Sequence, residues 1–313
     1  MSFSSGPLRF THDVTSTVNS VRQSLLGRSL PTTLYHYTRF DKVLKIGNSR
    51  TLWATCAADL SDKKEIDLGV EIVQAEVLGR VRAGVDEFPQ MVLDNLLAAL
   101  PDRKMWTFIA CFCAEQDSHF HRKKYGEYCL GFETHSTWEP RLRPLAGLQA
   151  DVQYYRAVYW QPKQREAIRR VIESIADSAS RNAVRGALMP WGAKFCARNA
   201  SQLLMDLIVS FKTRTFRREK EWRIVCRPVL ALNSLDPDFE QRSFEHLVRA
   251  GTMRYVELQT PAPNRGQVIC GCPRLAIPFD SIYRSDGFRH DDDEKHRITQ
   301  MLAEHDRPDI KLG

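Results

Sequence analysis

The sequence predicts an α+β fold built on a mixed, mostly antiparallel sheet, and three observations predict it. Strand-type runs come in neighbouring groups rather than in strict β-α-β alternation. No glycine-rich phosphate loop of the G-x-G-x-x-G or Walker type is present, which removes the main support for a dinucleotide-binding or P-loop sheet. Nothing repeats at a period of about 20–50 residues, and no Gly/Ser-rich or Pro-rich linker divides the chain.

Val14, Val18, Val21 and Leu25 recur at helical spacing and Gly27 stops them, so residues 1–30 read as an N-terminal helical extension ahead of a single domain over 31–313. A strand is expected at 34–38, a short helix at 40–46 and a second strand at 51–56. Asp62, with Glu65 three residues on, is a capping signal for a helix that carries Ile66, Val70, Val73, Val77 and Val81 on one face and ends at Gly84. A helix over 87–100 stops at Pro101. Strands follow at 106–113, 128–133 and 152–160, the first two joined by a polar loop over 119–127. Residues 163–188 and 193–212 read as helices parted by Pro190, Trp191 and Gly192, a helical insertion at about 163–212. Strands at 221–230, 254–258 and 274–284 and an acid-headed helix at 291–305 close the chain.

Composition narrows the classes. Hydrophobic content of 43% and charged content of 27% describe a globular chain, not a disordered one. No apolar run approaches the roughly 18 residues of a membrane span, and residues 1–6 lack a basic region leading into an apolar core. A cytoplasmic protein with no membrane partner is expected. The net charge of +7 permits a phosphate-rich partner. Its surplus gathers between residues 163 and 218, where Arg169, Arg170, Arg217 and Arg218 are candidate nucleic-acid contacts, solvated helix faces being the alternative. Eight cysteines include no Cys-x-x-Cys. Of the two Cys-x-Cys pairs, Cys111 with Cys113 falls in a strand and Cys270 with Cys272 stands apart, so buried free thiols and no metal are expected. His119 and His121 flank Phe120 but lack a third ligand nearby, and His135 reads as a surface residue.

Two tracts carry chemistry. Arg217-Arg218-Glu219-Lys220-Glu221-Trp222-Arg223 sets two carboxylates two residues apart before a strand, and on extended backbone they share a face. Such a pair suits glycosyl transfer, holding a sugar hydroxyl and steadying an oxocarbenium ion; a charged tract at a strand start also describes a solvated loop. Leu34-Tyr35-His36-Tyr37-Thr38 puts a histidine in an aromatic strand, where it serves either the core or a ligand.

Taken in order, those tracts together with Thr51-Leu52-Trp53-Ala54-Thr55, Ala110-Cys111-Phe112-Cys113 and residues 128–132 resemble a bacterial family with LYHYT, LWAT, ACFS and EEWR motifs. The likeness covers most of residues 34–284, and the family is similar to a remote branch of the ADP-ribosyltransferase superfamily. The resemblance implies a split antiparallel sheet around NAD as co-substrate. It implies that His36 bonds the adenine-side ribose, that Tyr37 and Thr38 make nearby NAD contacts, that Glu221 stabilises the oxocarbenium ion and that Glu219 positions or deprotonates the acceptor. Cys113 replaces the family's serine, and Trp53, Tyr125 or Tyr128 would stack on nicotinamide. The implied activity is transfer of ADP-ribose to a macromolecule, nucleic acid ahead of protein, by a toxin or phage-defence effector held by an antitoxin or regulatory protein. An NAD glycohydrolase and a non-enzymatic binding module for nucleic acid or a partner protein are the alternatives.

Overall fold

The computed structural model describes residues 6–27, 29–60, 64–134, 139–140, 149–183, 189–229, 255–261, 275–276, 281–284, 292–305 and 310–312. Its helices are α1 (Gly6–Leu26), α2 (Phe40–Ser49), α3 (Lys64–Arg82), α4 (Glu87–Met105), α5 (His119–Tyr125), α6 (Gln161–Arg181), α7 (Met189–Ile208) and α8 (Asp292–Glu304). Its strands are β1 (Thr33–Thr38), β2 (Leu52–Cys56), β3 (Phe108–Cys113), β4 (Tyr128–Glu133), β5 (Glu139–Pro140), β6 (Gln149–Arg156), β7 (Glu221–Val229), β8 (Tyr255–Pro261), β9 (Leu275–Ala276), β10 (Ser281–Arg284) and β11 (Lys311–Leu312). The fold is α+β with a mostly antiparallel open sheet.

The chain forms two compact units, each assembled from three stretches. One comprises Met1–Ser29, Ala57–Thr107 and Tyr155–Arg217 and is helical. There α4 packs along α7, and α1 lies against α6 and α7. The valines at 14, 18 and 21 are fully buried, as the helical spacing requires. Gly69 of α3 faces Ile208 of α7 so closely that an added Cβ would stand 2.6 Å from the Ile208 side chain.

The other unit comprises Leu30–Cys56, Phe108–Tyr154 and Arg218–Gly313 and carries the sheet. β3 is its hub. β7 runs antiparallel along one edge of β3, from Cys226 opposite Phe108 to Glu221 opposite Cys113. The other edge is shared, β2 pairing at Phe108 and Ile109 and β1 at Cys113. β4 continues beyond β1, and β10 beyond β4. Because side chains alternate across a strand, Phe108, Ala110 and Phe112 share one face of this sheet with Trp222, Ile224, Leu34 and His36. Tyr35, Tyr37, Cys111 and Cys113 share the other with Cys129, Glu221 and Arg223. Phe112 meets Phe132 edge-on at 5.3 Å in the apolar face.

Several sequence expectations are corrected. α4 does not stop at Pro101 but continues to Met105 with the proline inside it. The ring removes one helical hydrogen bond, and packing on α7 carries the helix through. Pro190, Trp191 and Gly192 do not separate helices; they form the first turn of α7, where a proline near the N-terminus leaves no intrahelical bond unmade. α7 ends at Ile208 rather than 212, and α6 ends at Arg181, residues 184–188 lying outside the described ones. The third mid-chain strand ends at Arg156 instead of 160. Residues 119–127 are not wholly loop, since 119–125 form α5. The capping residues 61–62, His135, Cys270, Cys272 and Asp291 lie outside the described residues.

Candidate functional site

The site is built where β1, β3, α5 and the start of β7 meet in the sheet unit. Glu219 and Glu221 are not related by an extended strand, which corrects the shared-face expectation. Glu219 ends a short 3-10 turn (Arg214–Glu219), and Lys220 takes a left-handed φ of 42° before β7 begins at Glu221. Left-handed backbone is costly for a residue with a Cβ, so neighbouring contacts must hold this corner. Lys220 makes an ion pair with Glu115.

Both carboxylates are buried. Glu219, 1% exposed, accepts hydrogen bonds at Oε1 from Lys124 Nζ at 2.7 Å and Tyr125 Oη at 3.0 Å. Glu221 accepts one from Arg223 Nε at 2.5 Å, two residues on along the same strand face. The Arg223 side chain is fully buried, so Glu221 balances a charge that water cannot reach. Burial works against the Lys124 ammonium, but its bonds to Glu219 and Tyr125 outweigh that and hold it above the usual lysine range.

His121 is the centre of the cluster. Its Nδ1 lies 2.6 Å from Ser118 Oγ, within hydrogen-bond distance. Burial pushes its pKa down, against the opposing pull of Glu219, Glu115 and Glu221. Tyr37 stacks on it at 5.2 Å. The Tyr37 hydroxyl donates to the carbonyls of Gln116 (2.6 Å) and Glu115 (3.0 Å) and accepts the Ser118 N–H (2.9 Å), which ties β1 to the turn before α5. Cys113 donates to the Glu115 carbonyl, and burial pushes its thiol up to about 12, so it is not a nucleophilic thiolate near neutral pH.

The structure gathers Glu219, Glu221, Tyr37, Cys113 and Tyr125 around α5. It sets His36 on the opposite sheet face, where Nδ1–H donates to the Cys111 carbonyl at 2.9 Å and the ring meets Phe112 edge-on. Burial lowers the His36 pKa, partly offset by that bond. Thr38 and Tyr128 are cross-strand partners on the His36 face, and Tyr128 donates to Glu294. Trp53, 50% exposed, lies on β2 opposite Glu257. Arg169 pairs within α6 with Glu166 and Glu173, and Arg170 lines a polar groove of about 290 Å³ in the helical unit. Arg217 and Arg218 are exposed. Sequence reasoning passed over Lys124, Ser118 and Arg223, and set His121 aside as an incomplete metal ligand. Only Arg223, alternating with Glu221 along a strand, left a readable signal. Among the described residues no group of three or more His, Cys, Asp or Glu is placed to hold a metal, and no helix is long and apolar enough to cross a membrane.

No protein-family model matches the chain, and no curated protein or solved structure is significantly similar to it.

Proposed function

We propose that the protein is an NAD-dependent ADP-ribosyltransferase that modifies a macromolecule, nucleic acid ahead of protein, as a toxin or phage-defence effector restrained by a partner protein. The observation that carries this reading is the double pairing of Cys113 with Tyr35 and with Glu221. It joins the aromatic β1 tract to the carboxylate tract on one sheet face, where the ordered motifs of the resemblance require a nucleotide site.

The residues fit NAD in part. Lys124 and Lys220 suit the pyrophosphate, and the half-exposed Tyr125 ring suits nicotinamide. His36 does not face the carboxylates, so adenosine-side contacts fall to Tyr35, whose ring is only partly buried. Lys124 and Tyr125 must turn away from Glu219 for a ribose to reach it. In the reaction the bond between nicotinamide nitrogen and ribose C1′ breaks, its electron pair leaving with nicotinamide. Glu221 stabilises the resulting cation. The acceptor heteroatom bonds to C1′ and its proton passes to Glu219.

The test is nicotinamide release from NAD by the wild type, Glu219→Gln and Glu221→Gln, with and without RNA, DNA and lysate. Release that falls about 100-fold or more in Glu221→Gln supports the proposal. Free ADP-ribose as the sole product makes the protein a glycohydrolase instead. Absence of release under every condition sinks both readings and leaves a binding module.

A further inference from the structure

We propose that α5 is a base-stacking surface for single-stranded nucleic acid, seated directly over the carboxylate site. This deepens the transferase reading and rests on it for the fate of the bound polymer, whereas the binding is tested apart from it. A row of rings leads outward from the core. Buried Tyr37 stacks on His121, and His121 touches two outer rings, Phe120 at 5.5 Å and Tyr125 at 5.9 Å. Phe120 is 38% exposed and Tyr125 40% exposed, both on one short helix.

Cations interleave these rings. Lys124 Nζ stands 4.9 Å from the Tyr125 ring and 5.9 Å from the Phe120 ring. Exposed Lys123 and His119 stand beside them, and α5 contains no acidic residue of its own. Of the acids around α5, Asp117 pairs with Arg122, Glu115 with Lys220 and Glu219 with Lys124, while the partly exposed Glu127 follows the helix by two residues. Exposed rings with a π-face and adjacent ammonium groups are what an unpaired base and its phosphate require, whereas a duplex hides its bases. An acidic protein segment would use the cations but leave the rings without a stacking partner. The rings are rigidly backed, since His121 is pinned by Ser118 and Tyr37 by three backbone contacts. Phe120 lies about one helical turn before Glu219's partners, Lys124 and Tyr125.

The experiment measures fluorescence anisotropy of a labelled single-stranded RNA, its DNA counterpart and the matching duplex, each of about 16 nucleotides, with the full chain. The wild type is expected to bind single strands more tightly than the duplex. Phe120→Ala is expected to weaken single-strand binding about tenfold, and Phe120→Trp to retain it, which separates stacking from loss of fold. Lys123→Glu should weaken binding and reduce the salt slope by about one contact. Both Phe120→Ala and Lys123→Glu should leave polymer-free nicotinamide release unchanged. Equal affinity of Phe120→Ala and wild type, tighter duplex binding, or a loss that Phe120→Trp fails to recover overturns the proposal. Binding through Phe120 without any nicotinamide release would remove the transferase reading and leave this surface standing; release through Glu221 with binding indifferent to Phe120 would do the reverse.

Discussion

Among the described residues of the sheet unit, Arg223 and Glu221 form a deeply buried ion pair, in which both are withdrawn from water and neither charge is tolerable alone. Arg223→Met is therefore expected to lower stability by about 3–5 kcal/mol. The double replacement Arg223→Met with Glu221→Leu should recover most of that, as measured by urea denaturation. A single variant no worse than the double would show that the pair is not coupled. His121 sets a pH dependence. Its folded pKa lies below the ordinary 6.5, so between those values the unfolded chain binds more protons than the folded one. Stability is whole above pH 6.5 and falls as pH drops beneath it, with His36 contributing in the same sense. His121→Asn should flatten the change in urea midpoint between about pH 7.5 and about pH 5.5. An unchanged slope would place the titration elsewhere. Of these residues, Glu219 and Glu221 were visible as a motif. The pairing of Glu221 with Arg223 required knowing that the strand begins at Glu221, after a left-handed residue that no local signal announces.

At the scale of elements, Gly126 and Gly69 are among the described glycines that permit close approaches. Gly126 ends α5 at a φ of 137°, and an added Cβ would stand 2.3 Å from the Thr38 carbonyl oxygen of β1. Both the strain and the clash act against Gly126→Ala, which should cost about 2–3 kcal/mol and weaken ligand binding at the site above it. Circular dichroism melts and the nicotinamide assay would show both effects together. Gly69→Ala tests the helical unit. A helix gains about 1 kcal/mol from alanine in place of glycine, yet the Ile208 side chain blocks the new methyl group, so net destabilisation is expected. A gain in melting temperature would mean that Ile208 moves freely. The long amphipathic helices and the apolar strands were legible because their periodicity is local. α5 was not, since its seven residues carry rings and charges without an apolar stripe. It is fixed by Tyr37 and Ser118 from neighbouring segments.

For the whole molecule, each unit is completed only by chain that returns after a long excursion. Residues 1–154 lack β7, which covers a full edge of β3, and also lack α6 and α7, on which α1, α3 and α4 pack. That fragment is expected to show no cooperative thermal transition. A sharp transition would mean that one stretch suffices for a unit. By itself the sequence determined the α+β class, the mostly antiparallel character of the sheet, most helices and strands within a few residues, and the two tracts that bear carboxylates and aromatics. These follow from alternation, helical spacing and turn chemistry, all set by residues close in the chain. Tertiary structure alone decided which face each tract presents. It turned His36 away from Glu221, brought Lys124 and Tyr125 onto Glu219, and buried Arg223 beside Glu221. The physical reason is register: a shift of one residue exchanges the two faces of a strand. The register of β1 and β7 on β3 comes from pairings between residues about 80 to 120 positions apart, which no local pattern encodes.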